Sequence, residues 1–147
     1  MLSNKTKHNS RIVLIQRLFE QDFFSTEDID KDNVNHFSES SLKSLSAITE
    51  LDKTYISTIL DGTKRNKKKI DDLILKLAPE WPLANIARID LEILRIAILE
   101  GFILKITPEK VAINEAIELA KEFSNDQTRK FVSGVLGNLF SNKEKYL

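Results

Sequence analysis

The chain has 147 residues, 41% hydrophobic and 30% charged, which suits one folded domain with its own core and excludes a disordered segment. It has no cysteine, which excludes disulfides, zinc–thiolate sites and cysteine nucleophiles and suits a reducing cytoplasm. Its 22 basic and 22 acidic residues balance, so net charge alone does not point to nucleic acid.

The first predicted element is a helix ending near residue 25. Ile12, Ile15, Phe19 and Phe23 recur at helical spacing, and Leu14 and Leu18 widen the stripe. This run is too short and too charged (Arg17) for a secretory signal and leads to no small-residue cleavage pattern. Lys5, Lys7, His8, Arg11 and Arg17 make residues 1–19 basic, without one acid. Two readings fit that cluster: a solvated terminus, or an electrostatic footprint for a phosphate backbone with Arg11 held in place by the helix.

"STEDIDKDNVNHFSESS" follows, an acidic, serine-rich stretch that reads as an exposed connection. A second helix is expected from Ser41 or Ile48 to Leu60, with Leu51, Tyr55, Ile59 and Leu60 inward. Gly62 within "DGTKRN" reads as its end, placing the basic "KRNKKK" in an inter-helix loop. Ile70, Leu73, Ile74 and Leu77 predict a third helix, stopped by Pro79 and Pro82.

The most apolar helix is expected over 83–103, built on Ile86, Ile89, Ile93, Ile96 and Ala97. Its charges make it unfit to span a membrane. Arg88, Glu92 and Arg95 share one polar strip and read as a surface charge ladder. Asp90 and Glu100 fall among the isoleucines instead. A carboxylate there needs a cation, a hydrogen-bond donor or a partner protein.

Thr107-Pro108 reads as the N-cap and first residue of a fifth helix, "VAINEAIELAKEF", apolar on one face, with Asn114 and Lys121 at its boundary. Asn125 or Asp126 caps a last helix in which Thr128, Val132, Val135, Leu136 and Leu139 face inward. Phe131 lies at the margin of that stripe, where a base can stack. Gly134 and Gly137 line the adjacent side and suggest close approach by a backbone or a ligand.

No catalytic constellation emerges. His8 and His36 lack metal-ligand spacing, "DGTK" is no phosphate loop, and no nucleophile motif or cofactor fingerprint is present. A non-enzymatic chain is expected.

"IDLEILRIAILE", "TPEKVAINEAIELAKEF" and "RKFVSGVLG", in that order and spacing, together with "SRIVLIQRLFEQDF", resemble the bacterial transcription antitermination factor NusB family. The likeness is strongest over residues 81–139. It implies an all-α fold of two packed antiparallel helical bundles with about six to seven helices. One NusB-like domain would then span 1–147, with helical halves of about 1–78 and 79–147. It further implies a non-catalytic, cytoplasmic adaptor without a cofactor or metal. Such a protein pairs with the small-subunit ribosomal protein NusE, binds single-stranded boxA-like RNA and helps the elongation complex read through terminators, notably in ribosomal RNA operons.

Transferred position by position, the resemblance implies RNA contacts at Lys7, His8, Arg11, Phe19, Gln127, Lys130 and Phe131, and a protein-partner contact at Asp90. Lysine, histidine and asparagine (Lys7, His8, Asn9) thin the arginine-rich start of the family, so RNA affinity is expected to lean on the partner. Two other readings fit: a helical protein-interaction module without RNA binding, and an accessory RNA-binding domain in an RNA methyltransferase system. A monomer and a homodimer that buries the RNA face are both compatible with the sequence.

Overall fold

The computed structural model describes residues 4–26, 52–80, 86–123 and 126–147. The acidic connection beyond Thr26, the helix start at Ser41 or Ile48, Leu51, Pro82 and the cap candidate Asn125 lie outside these residues, as does the side chain of Phe23. Among the described residues every regular element is helical, giving an all-α fold. The elements are α1 (Asn4–Thr26), α2 (Lys53–Leu77), α3 (Arg88–Ile98), a π-helical turn (Leu99–Ile103), α4 (Glu109–Phe123), α5 (Asp126–Ser141) and α6 (Lys143–Tyr146). No helix among the described residues is long and apolar enough to cross a membrane. The chain divides into two compact units, Met1–Leu60 and Asp61–Leu147, the boundary falling within α2.

In the first unit, α1 buries Val13, Leu14, Ile15 and Leu18, while Ile12 and Phe19 are only half-buried. The apolar stripe is therefore rotated from the expected Ile12–Ile15–Phe19 line. Asp52 starts α2: its carboxylate accepts the Tyr55 N–H at 3.0 Å, satisfying one of the donors that open every helix. The buried Ser10 hydroxyl accepts the Asp52 N–H at 2.9 Å and donates to the Thr6 carbonyl at 2.8 Å. One serine thus ties α1 to the cap of a helix 42 residues away.

The expected break at Gly62 is absent. α2 runs unbroken through it, so "KRNKKK" is helical and the second and third expected helices are one. A Cβ on Gly62 would lie 2.9 Å from Leu99 Cδ2. Glycine costs a helix about 1 kcal/mol relative to alanine, and here that cost comes with close packing against the π turn.

α3, α4 and α5 pack pairwise to form the centre of the second unit. Ile93, Leu94, Ile98, Leu99, Ala120, Val132, Leu136 and Leu139 have almost no exposed surface. The long helix expected over 83–103 is α3 followed by the π turn, closed by the Leu104 N–H donating to the Leu99 carbonyl at 2.8 Å. Gly101 within that turn sits against α4, where a Cβ would come within 2.8 Å of Ala112 Cβ. Lys105 then adopts φ 54°, a left-handed conformation that costs a non-glycine residue about 1–2 kcal/mol. Beyond it, the N–H groups of Ile106 and Thr107 both donate to the Glu100 carbonyl.

Two further expectations are corrected. The polar strip of α3 is not a surface ladder, because Glu92 and Arg95 are 0% and 4% exposed. Thr107 does not cap α4, which begins at Glu109; its hydroxyl donates to the buried Glu100 carboxylate.

Candidate nucleic-acid interface

In the second unit, Lys130 and Phe131 of α5 line a shallow cleft of about 230 Å³ with Leu77, Ala78, Pro79, Gly134, Val135 and one acid, Glu80. Lys130 is exposed and Phe131 half-buried, so an ammonium and an aromatic ring border the same space. Gly134 lies one turn beyond, and a Cβ built on it meets nothing within 4 Å. The space beside Gly137 is equally open, so neither glycine serves close helix packing among the described residues. At Gly134 the missing side chain widens the mouth of the cleft. Gln127 is exposed in the first turn of α5, with its amide open to solvent.

Asp90 lies in the first turn of α3 and is 7% exposed. Burial raises its carboxyl above the usual aspartate value, and a hydrogen bond from Thr128 of α5 partly opposes that. Its Oδ1 oxygen has no hydrogen-bond partner among the described residues. The helix N-terminus favours a negative charge here, yet burial prevails. The carboxylate expected to need a donor or a partner protein has found half of what it needs inside its own fold. Thr128 adjoins Gln127, so Asp90 and the start of α5 form one local group.

In the first unit, Lys7, His8 and Phe19 are half-buried on α1. Arg11 is 3% exposed, and its guanidinium carbon lies 5.4 Å from the centre of the Tyr55 ring. That is cation–π geometry, which locks α1 onto the first turn of α2 beside the Ser10–Asp52 tie. Sequence reasoning missed Tyr55 as the partner of Arg11. Its local pattern marks only an inward aromatic, and nothing local couples it to so distant an arginine. Among the described residues, no three His, Cys, Asp or Glu side chains are grouped to hold a metal ion.

A model described as the NusB family matches residues 8–141. This chain belongs to the NusB family. It is 39% identical over 138 residues to the transcription antitermination protein NusB of Clostridium novyi, covering 90% of this chain and 96% of that protein. It is 35% identical over 139 residues to the protein of the same name from Clostridium acetobutylicum, covering 95% and 98%. The solved structure of T. maritima NusB superposes with a TM-score of 0.71 at 28% identity, covering 99% of each chain. A chain from a crystal structure of the antitermination factors NusB and NusE in complex with dsRNA gives a TM-score of 0.73, covering 95% of this chain and 98% of that one. At 16% identity that second likeness concerns the fold alone.

In this NusB-family chain the candidate residues fall into two groups, each within one compact unit. Lys7, His8, Arg11 and Phe19 share α1. Gln127, Lys130 and Phe131 share α5, with Asp90 linked to its first turn through Thr128. The match from residue 8 to residue 141 takes in every one of them except Lys7.

Proposed function

We propose that this chain is a non-catalytic adaptor in transcription antitermination. It binds boxA-like single-stranded RNA jointly with the small-subunit ribosomal protein NusE and presents that RNA to the elongation complex, with ribosomal RNA operons as the natural setting. Membership of the NusB family over nearly the whole chain carries the reading. The names of its relatives and the existence of a solved NusB–NusE–dsRNA complex support it.

The cleft on α5 suits RNA binding. The Phe131 ring stacks on an unpaired base, Lys130 neutralises a phosphate beside it, and the Gln127 amide reads a base edge or a sugar hydroxyl. On α1, Lys7 and His8 supply further donors, and Phe19 offers a second ring. Arg11 plays a different part. Stacked on Tyr55, it positions α1 and adds positive field from beneath the surface. The unsatisfied Asp90 oxygen takes a donor from the protein partner, which completes its hydrogen bonding.

A titration of labelled boxA and scrambled RNA, each with and without NusE, tests this reading. NusE is expected to tighten boxA binding at least about tenfold over the scrambled strand, because a joint surface lowers the cost of ordering a flexible RNA. Equal effects on the two RNAs would overturn it. Burial of Arg11 favours one competing reading, a protein-interaction module without RNA binding, since it withdraws a cation from the surface of α1. Under that reading NusE binds and RNA does not.

A further inference from the structure

The basic run expected in a loop belongs to one wall of an open groove of about 840 Å³ in the second unit. We propose that this groove is a second RNA contact, holding the sugar–phosphate backbone of single-stranded RNA that flanks the element bound at the Lys130–Phe131 cleft. The proposal rests on RNA being the ligand of the function proposed above.

Charge is the first argument. Arg65, Lys68, Lys69 and Lys76 line the groove from α2, and Lys105 lines it from the turn after the π segment, against one acidic side chain, Asp72, with Tyr146 and Leu147 also on the lining. The neighbouring acid, Asp71, is not part of the lining and is paired with Arg95. Among the described residues no carboxylate pairs with Lys68, Lys69, Lys76 or Lys105. Arg65 has only a solvent-exposed contact with Asp61 at 3.2 Å. In a chain of zero net charge this groove is strongly cationic.

Shape is the second. From Arg65 to Lys76 the helix rises about 16 Å. The cations therefore form a row suited to consecutive phosphates, whereas a lone anion would need a closed pocket. Leu73, Phe102 and the Tyr146 ring provide apolar lining for sugars and a stacking surface for a base. An acidic protein segment is the competing occupant. Carboxylates are best gripped by arginine forks, and four of these five cations are lysines, point charges that tolerate the variable spacing of phosphates.

Lys105 is the third and independent observation. It holds a left-handed backbone where glycine would be free of strain, one residue beyond Leu104, which closes the π turn. Strained backbone and π turns both gather at functional sites. Here they put an ammonium on the wall of the groove.

The test measures fluorescence anisotropy of the full chain with NusE, using a short boxA strand of about twelve nucleotides and the same RNA carrying a uridine tail of about twenty. The tail is expected to tighten binding roughly tenfold, and Lys68→Ala/Lys69→Ala/Lys76→Ala to abolish that gain while leaving the short strand unaffected. The salt slope for the tailed RNA should fall by about 2. Lys105→Gly, which relieves the backbone, guards against misfolding and should reduce the gain by about twofold. A tail that adds nothing, or a gain that survives the triple variant, overturns the groove proposal. So does poly-glutamate displacing the tail more effectively than poly-uridine, which would assign the groove to an acidic protein. Equal binding of short boxA and scrambled strands would instead sink the antitermination reading. The tail's contribution, a difference between tailed and untailed strands, would still be measured.

Discussion

Arg95 grips Asp71 through two parallel hydrogen bonds, Nε to Oδ1 and Nη2 to Oδ2, each 2.9 Å long. Its Nη1 donates to Glu92 at 2.8 Å. One guanidinium thus answers two carboxylates from two helices, and all three side chains are at most 15% exposed. Replacing Arg95 with methionine keeps the length and removes the charge, leaving Glu92 and Asp71 to repel each other out of water. The expected loss is about 3–5 kcal/mol in urea unfolding. Simultaneous Arg95→Met, Glu92→Leu and Asp71→Leu should recover most of it, since a packed apolar trio has no charge to desolvate. A single variant that unfolds like the wild type would show that the triad is not what holds α2 and α3 together here.

Asp90 sets an opposite expectation. Its folded-state carboxyl titrates above the unfolded value of 3.8 because burial disfavours the charge. Between those two values the folded chain binds more protons than the unfolded one, so this group's contribution to stability falls as pH rises through that window. Asp90→Asn should therefore raise the melting temperature at neutral pH, and the gain should vanish below about pH 3.8. The same variant should weaken NusE binding in a pull-down or calorimetric titration. A more stable protein with undiminished partner affinity would separate the two roles and remove Asp90 from the interface.

The glycines make a matched set. Gly134→Ala and Gly137→Ala meet open space and should each stabilise the protein by about 0.5–1 kcal/mol through helix propensity. Gly101→Ala drives a methyl into Ala112 of α4 and should cost about 1–3 kcal/mol. Thermal melts of the three variants check both signs. Because Gly134 lines the Lys130–Phe131 cleft, its alanine variant should also weaken RNA binding, whereas that of Gly137 should not.

RNA titrations across salt concentrations distinguish contact from support. Phe131→Ala should weaken boxA binding by about 1–3 kcal/mol, with Phe131→Tyr close to neutral. Lys130→Ala and Lys7→Ala should each flatten the salt dependence by about 0.7. Arg11→Met should leave that slope almost unchanged while lowering stability, since the guanidinium faces Tyr55. A flattened slope in Arg11→Met would show that the arginine reaches phosphate after all.

Local periodicity was enough to place the inward face of α5 and most of that of α4, where Ala112, Ala116, Leu119 and Ala120 are buried but Phe123 is exposed, because a 3.6-residue repeat needs no knowledge of neighbouring helices. Val132, Val135, Leu136 and Leu139 are buried as their spacing demands, and Asn114 stands exposed on the polar side of α4. Lys121, at the boundary of that face, pairs at the surface with Glu118, 3.2 Å away. Family resemblance likewise depends on ordered residue identities and was legible from "IDLEILRIAILE" to "RKFVSGVLG".

What escaped the sequence has one common cause: the deciding group is far along the chain. Glu92 and Arg95 look like a surface ladder until Asp71, 24 residues from Arg95, accepts the guanidinium's remaining donors and lets it leave water with its hydrogen bonds made. Gly62 looks like a stop until Leu99 fills the space a side chain would occupy, and the helix continues through it. Arg11 looks like an exposed cation until the fold buries it against Tyr55. The repeat of apolar residues along the chain determined that this protein is a set of helices, and the order of its residues determined which family they belong to. Only tertiary packing decided which charges face water, because desolvation and pairing depend on neighbours that sequence distance conceals.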